Sequence, residues 1–173
     1  MKKRLIILSL IILCLNLSGC NKSLSVEKRG DESVINVKSE DKEMNQIIEK
    51  ARQSVNDFLK ELNNPSTSGT DFSVKYPFAT DAGSESSKEH IWLVNIEKNN
   101  DKYYGVVANE PFYIKNMKID DKVEFNIEEI SDWKYIENGF LVGGKSIIYF
   151  YNQMPDGEKK DFEKAAGFKI KNH

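Results

Sequence analysis

The chain has 173 residues, 39% of them hydrophobic, with 25 Lys+Arg against 27 Asp+Glu and a net charge of −2. Slight acidity argues against a nucleic-acid partner, which calls for a basic face. Both cysteines, Cys14 and Cys20, fall at the N-terminus, so whatever folds beyond them relies on an ordinary core rather than on disulfides.

Met1-Lys2-Lys3-Arg4 precedes an apolar run from Leu5 to Leu15 and a small-residue stretch. A basic start, a short apolar segment and small residues make a secretory signal. The run is about half of the ~20 residues that a spanning helix needs. Leu17-Ser18-Gly19-Cys20 resembles the bacterial lipobox. That resemblance implies cleavage before Cys20 and lipid on its sulfur and amine, an anchor worth ~0.8 kcal/mol per buried methylene. Residues 1–19 are then a signal peptide and 20–40 a lipidated cysteine followed by a flexible tether. Loss of Lys2, Lys3 and Arg4 leaves 22 basic against 27 acidic residues, a charge of −5. So acidic a chain has little electrostatic pull toward anionic lipid, which leaves the acyl chains to do the anchoring. The expected location is the cell envelope, on the outer membrane facing the periplasm in a cell that has one, because Asn rather than Asp follows Cys20.

Residues 21–40 are polar and charged, with an extended piece at Val34-Ile35-Asn36-Val37. Met44, Ile47, Ile48, Ala51, Val55, Phe58, Leu59 and Leu62 then recur three or four apart, the stripe of one amphipathic helix. Ser39 suits its start and Asn63-Asn64-Pro65 its end. From Phe72 the period changes to two. Strands are expected at 72–76, 90–98, 102–109, 122–128, 133–137 and 140–142, with hairpin turns at Asn99-Asn100-Asp101 and Asn138-Gly139. Lys145 to Tyr151 is a last β-branched and aromatic run, expected as a strand. Pro155 opens a short helix through Ala166, with Gly167 just beyond it. The fold class is α+β: an amphipathic N-terminal helix packed on an antiparallel β meander, open or barrel-like, and a short C-terminal helix, in one domain over residues 41–170.

Gly139 to Ser146 fits the phosphate-loop pattern G-x-x-x-x-G-K-[ST]. That chemistry needs a flexible loop and a following helix. Here Phe140, Leu141 and Val142 want burial and a strand-like run follows, so Gly143-Gly144 is expected as a bend or bulge between strands and no nucleotide is expected. Ser39-x-x-Lys42 resembles a nucleophile motif without its companions and is a helix cap. The two histidines, His90 and His173, have no metal-ligand spacing.

Several segments together resemble the YegJ-like family of bacterial domains of unknown function. They are Phe72-Ser-Val-Lys-Tyr-Pro-Phe78, Asp81-Ala-Gly83, Glu89-His90-Ile-Trp92, Gly105-Val-Val-Ala-Asn109-Glu110-Pro111, Ile130-Ser-Asp132-Trp133 and Gly139-Phe-Leu-Val-Gly143-Gly144. The closing helix from Phe162 to Phe168 fits as well, so the resemblance runs over about residues 44–170. It implies a domain and no particular reaction. Asp81, Glu89, His90, Trp92, Asn109, Asp132 and Trp133 mark its candidate surface. No catalytic residue, metal or cofactor is assigned.

Three functions compete. A lipid-anchored envelope module would bind the membrane through Cys20 and an envelope protein partner through the domain. A hydrolase would use His90 as base beside Asp81, Glu89 or Asp132. An inhibitor or immunity-type lipoprotein would block a toxin at the membrane. The first is the expectation.

Overall fold

The computed structural model describes residues 24–29, 32–37, 42–81, 83 and 87–171. The signal segment, Cys20, Ser39 and His173 lie outside the described residues. Strands β1 (Leu24–Arg29) and β2 (Glu32–Val37) pair antiparallel, Val26 opposite Ile35. The stretch expected to be a tether therefore contains a hairpin, in keeping with the strand propensity of its Val and Ile residues.

The single expected helix is two, α1 (Lys42–Gln53) and α2 (Val55–Leu62). The break at Ser54 has a tertiary cause. The Trp133 indole N–H donates to the Ala51 carbonyl at 3.0 Å and to Ser54 Oγ at 3.2 Å. Ser54 Oγ donates to Lys50 O at 2.8 Å. A side chain inserted into the carbonyl ladder interrupts a helix at that point.

Six strands form one antiparallel sheet: β3 (Gly69–Ala79), β4 (Lys88–Asn99), β5 (Lys102–Val107), β6 (Lys122–Phe125), β7 (Asp132–Glu137) and β8 (Phe140–Gly143). Their order is β6-β5-β4-β3-β7-β8. A four-strand meander thus carries the β7–β8 hairpin on its first strand, and the sheet is open rather than a barrel. Both ends are short strands, and the backbone of Lys169 bonds to Gly139 O and Leu141 N along the outer edge of β8. The turns read from sequence are there: Asn100 has φ 56°, and Asn138 and Gly139 have φ 52° and 78°, the positive values that a two-residue hairpin turn requires.

Strand alternation divides the sheet into two faces. The proximal face carries Val74, Ile91, Leu93, Val107, Phe125 and Trp133, buried together with Ala51 and Phe58 of the helices. Phe58 is fully buried, 5.8 Å from Phe72 and 5.7 Å from Trp133 between ring centres. Its burial stabilises by about 2–3 kcal/mol. On the distal face, Ile136 of β7 and its partner Leu141 of β8 join a second cluster with Tyr151, Phe162, Phe168 and Ile170.

The run Lys145–Tyr151 is not a strand. It lies in helix α3 (Lys145–Asn152), followed by α4 (Asp156–Ala166), whose C-terminal Gly167 has the expected positive φ of 75°. Gly143 and Gly144, with φ 74° and 59°, turn strand β8 directly into α3 instead of joining two strands. The preference of Ile147-Ile148-Tyr149-Phe150 for a strand is overridden by a cap supplied from far away in sequence. Likewise β6 ends at Phe125, and a 3₁₀ turn at Ile127–Glu129 replaces the rest of the expected strand, with Asn126 Oδ1 accepting from Glu128 N at 3.1 Å.

Candidate functional site

That cap is Asp132. Its carboxylate is fully buried and accepts four hydrogen bonds: from Trp133 N at 2.8 Å, Lys145 N at 3.1 Å, Ser146 N at 2.8 Å and Ser146 Oγ at 2.6 Å. Two fall on each oxygen, which uses the acceptor capacity of both. A carboxylate at a helix start also sits at the favourable end of the dipole. A helix does follow Gly144-Lys145-Ser146, contrary to the expectation, yet the amides that a phosphate would need hold Asp132. The supposed loop is strand β8, with Leu141 buried.

The other predicted positions separate by face. Glu89 is buried and accepts from Phe112 N at 2.7 Å and Tyr113 N at 2.8 Å. Asp81 Oδ2 accepts from Lys115 N at 2.9 Å, and Asn109 Oδ1 accepts from Trp92 N at 2.8 Å. These three anchor the connection between β5 and β6 to strand β4 and its approach. Trp133 is proximal core, stacked on Tyr135 at 6.2 Å. His90, Trp92 and Asp132 share the distal face.

His90 Nδ1 is 2.8 Å from Ser131 Oγ, and that hydroxyl donates to Lys75 O at 3.1 Å. Because serine has one proton to give, Nδ1–H is the donor to Ser131 and Nε2 keeps its lone pair. Burial, then the charges of Lys75, Lys88 and Arg52, push the His90 pKa down to about 4. None of Asp81, Glu89 and Asp132 bonds to it, so the constellation expected for a hydrolase is not assembled. Ser131 itself is 2% exposed, which shields its hydroxyl from a substrate. Among the described residues no group of three His, Cys, Asp or Glu side chains could hold a metal.

Two residues missing from the sequence-based surface complete the distal face. Lys75 of β3 lies opposite Trp92 of β4 and Asp132 of β7. Lys134 of β7 lies opposite Ser73. Both ammonium groups stand 5.6 Å from the Trp92 ring centre, within range of a cation–π attraction of about 0.5–2 kcal/mol. Lys134 Nζ also donates to Ser73 Oγ at 3.3 Å. Both lysines are half-buried. Burial lowers the pKa of Lys75, with the charge of Asp132 opposing, and lowers that of Lys134, with Asp71 and Asp132 opposing. Alternation on β3 and β7 places these lysines between core positions, as any solvent-facing strand residue would be. Only the register shows that they meet over one indole. On the proximal side, an open hollow is lined by Tyr76, Tyr103, Phe125 and Ile127 together with Asp101, Glu124 and Glu128.

Residues 41–170 match a family described as uncharacterised proteins conserved in bacteria, DUF2314. The chain belongs to this family. The DUF2314 match begins at α1 and takes in the whole six-stranded sheet and the C-terminal helices, so every residue of the distal face lies inside it. A putative ankyrin repeat protein of Neisseria meningitidis serogroup B is 32% identical over 142 residues, covering 80% of this chain and 56% of that protein. The uncharacterised protein YegJ of Escherichia coli K12 is 31% identical over 104 residues, 60% of this chain and 64% of that protein. The chain thus spans rather more than half the length of these curated relatives. No solved structure matches it.

Proposed function

We propose that this DUF2314 protein is a lipid-anchored binding module of the cell envelope that presents the distal face around Trp92 to its partner. The single observation that carries the binding role is the contrast between two sets of polar side chains. Asp81, Glu89, Asp132 and Ser131 are committed to backbone groups, whereas Lys75 and Lys134 flank Trp92 with no ion pair to either lysine among the described residues. An interior built this way holds a surface in shape and carries no poised acid–base pair. The ankyrin-repeat name of the meningococcal relative agrees with an interaction role. Support for the anchor comes from the sequence, in the order of basic start, apolar run and Leu17-Ser18-Gly19-Cys20. No described helix is long and apolar enough to cross a membrane.

Two measurements test the two halves. In cell fractionation the wild-type chain should sediment with membranes, and Cys20→Ser should release it or leave its leader uncleaved; identical processing and partition would remove the anchor. A photocrosslinking residue at position 92 should give a discrete adduct in whole cells that the same group at exposed Lys60 does not. Equal labelling at both positions would remove the distal face as the binding surface.

A further inference from the structure

We infer that the Lys75–Trp92–Lys134 cluster is an oxyanion site, one that takes a carboxylate or phosphate group of a small ligand. The inference rests on the reading of the distal face as a binding surface and adds the chemistry of what binds there. The protein is acidic as a whole, with 27 acidic against 25 basic residues. Even so, its distal face brings two ammonium groups to one indole, each 5.6 Å from the ring centre.

Among the described residues neither lysine makes an ion pair, although Lys134 also feels the charge of Asp71. Other lysines do have acids at bonding distance, as in Lys102–Glu124, Lys122–Glu97 and Lys159–Asp156. Asp132 is near enough to be felt by both lysines, yet its two oxygens are filled by Trp133 N, Lys145 N, Ser146 N and Ser146 Oγ. Half-buried cations without a bonded acid are costly to keep. The Trp92 quadrupole offsets part of that cost, and an oxyanion would offset the rest. Lysine ammoniums act as point charges that accept carboxylate and phosphate alike, so the shared feature of the ligand is its oxyanion. The lone pair that the Ser131 bond leaves on His90 Nε2 makes the same face unattractive to an anion on that side, which directs the group toward the lysine pair.

The test is calorimetric titration of the full chain in neutral detergent with acetate, inorganic phosphate and glycerol 3-phosphate, the last standing for a lipid headgroup. At least one probe should bind saturably, more weakly as chloride rises. Lys75→Gln with Lys134→Gln should weaken it at least tenfold, Lys75→Arg should keep most of it, and Lys60→Gln should change nothing. The tightest probe identifies the source: carboxylate, free phosphate or headgroup. The wild-type side-chain Cε resonances of the lysines provide a reading that does not depend on the folding of the double variant, and those of Lys75 and Lys134 should move most on probe addition. If no probe binds saturably, if the double variant binds like wild type, or if other lysines respond instead, the site is not an oxyanion site. Crosslinking at position 92 with no oxyanion binding would leave the binding surface standing and remove only its assigned chemistry.

Discussion

His90 shows how one side chain ties the distal face to stability. Its folded pKa of about 4 lies below the ordinary histidine value of 6.5, because burial and neighbouring cations disfavour the charged ring. A base whose pKa is depressed by folding favours the folded state fully above its unfolded pKa. The advantage is lost as pH falls from 6.5 toward 4, since the unfolded chain then takes up the proton first. Between pH 7 and pH 5 this amounts to about 2 kcal/mol. Denaturant unfolding of wild type and His90→Gln at the two pH values should show the variant losing less stability on acidification by about that amount. Equal losses would mean that His90 is not held neutral. At the same scale, Asp132 was legible as a functional candidate and proves to be a cap. Its identity was visible, but the two amides it serves are 13 and 14 residues further on, a distance no local pattern spans.

At the scale of elements, the β8–α3 junction depends on two glycines in left-handed backbone. A Cβ on Gly143 would lie 2.4 Å from the Trp133 carbonyl oxygen and from its ring. One on Gly139 would meet nothing within 4 Å, although its φ is also positive. Gly139→Ala should therefore cost about 1 kcal/mol, the left-handed penalty alone. Gly143→Ala should cost about 3 kcal/mol, with overpacking against Trp133 added. Similar melting temperatures for the two variants would contradict this packing. The same junction explains why the sequence misleads: Lys145–Tyr151 has strand propensity, but the chain leaves Gly144 under a cap and against a cluster that select a helix. The break between α1 and α2 has the same character. Its stripe runs unbroken in sequence, and the Trp133 indole that interrupts it comes from β7.

For the whole molecule, the decisive contact is between the helix pair and the proximal face. Phe58→Asp places an unpaired charge where Phe72 and Trp133 now pack and removes a fully buried ring. The cost should exceed about 4 kcal/mol. Thermal unfolding unchanged from wild type would refute the layer arrangement. The fold separates roles between the two faces. Helices α1 and α2 cover the proximal side, while β3, β4 and β7 turn Lys75, Trp92 and Lys134 to the distal side, which also carries the second cluster around Tyr151 and Phe162. Nothing in the composition announces that cluster, because the chain is acidic and each lysine occupies an ordinary outward strand position.

The sequence by itself determined what local periodicity and turn chemistry can carry. The amphipathic stripe, the alternating strands, the Asn138-Gly139 turn, the Gly167 stop and the α+β class all follow from interactions between residues a few positions apart, and the family resemblance from several such segments in order. Tertiary structure alone decided which strands are neighbours, that the sheet stays open, that α3 is helical, and which of the marked residues meet. Those outcomes depend on contacts between residues 13 to 82 positions apart: Asp132 with Lys145, Ser131 with His90, Lys75 with Asp132, Trp133 with Ala51. Register across a sheet sets them, and a one-residue slip would send every side chain on a strand to the other face.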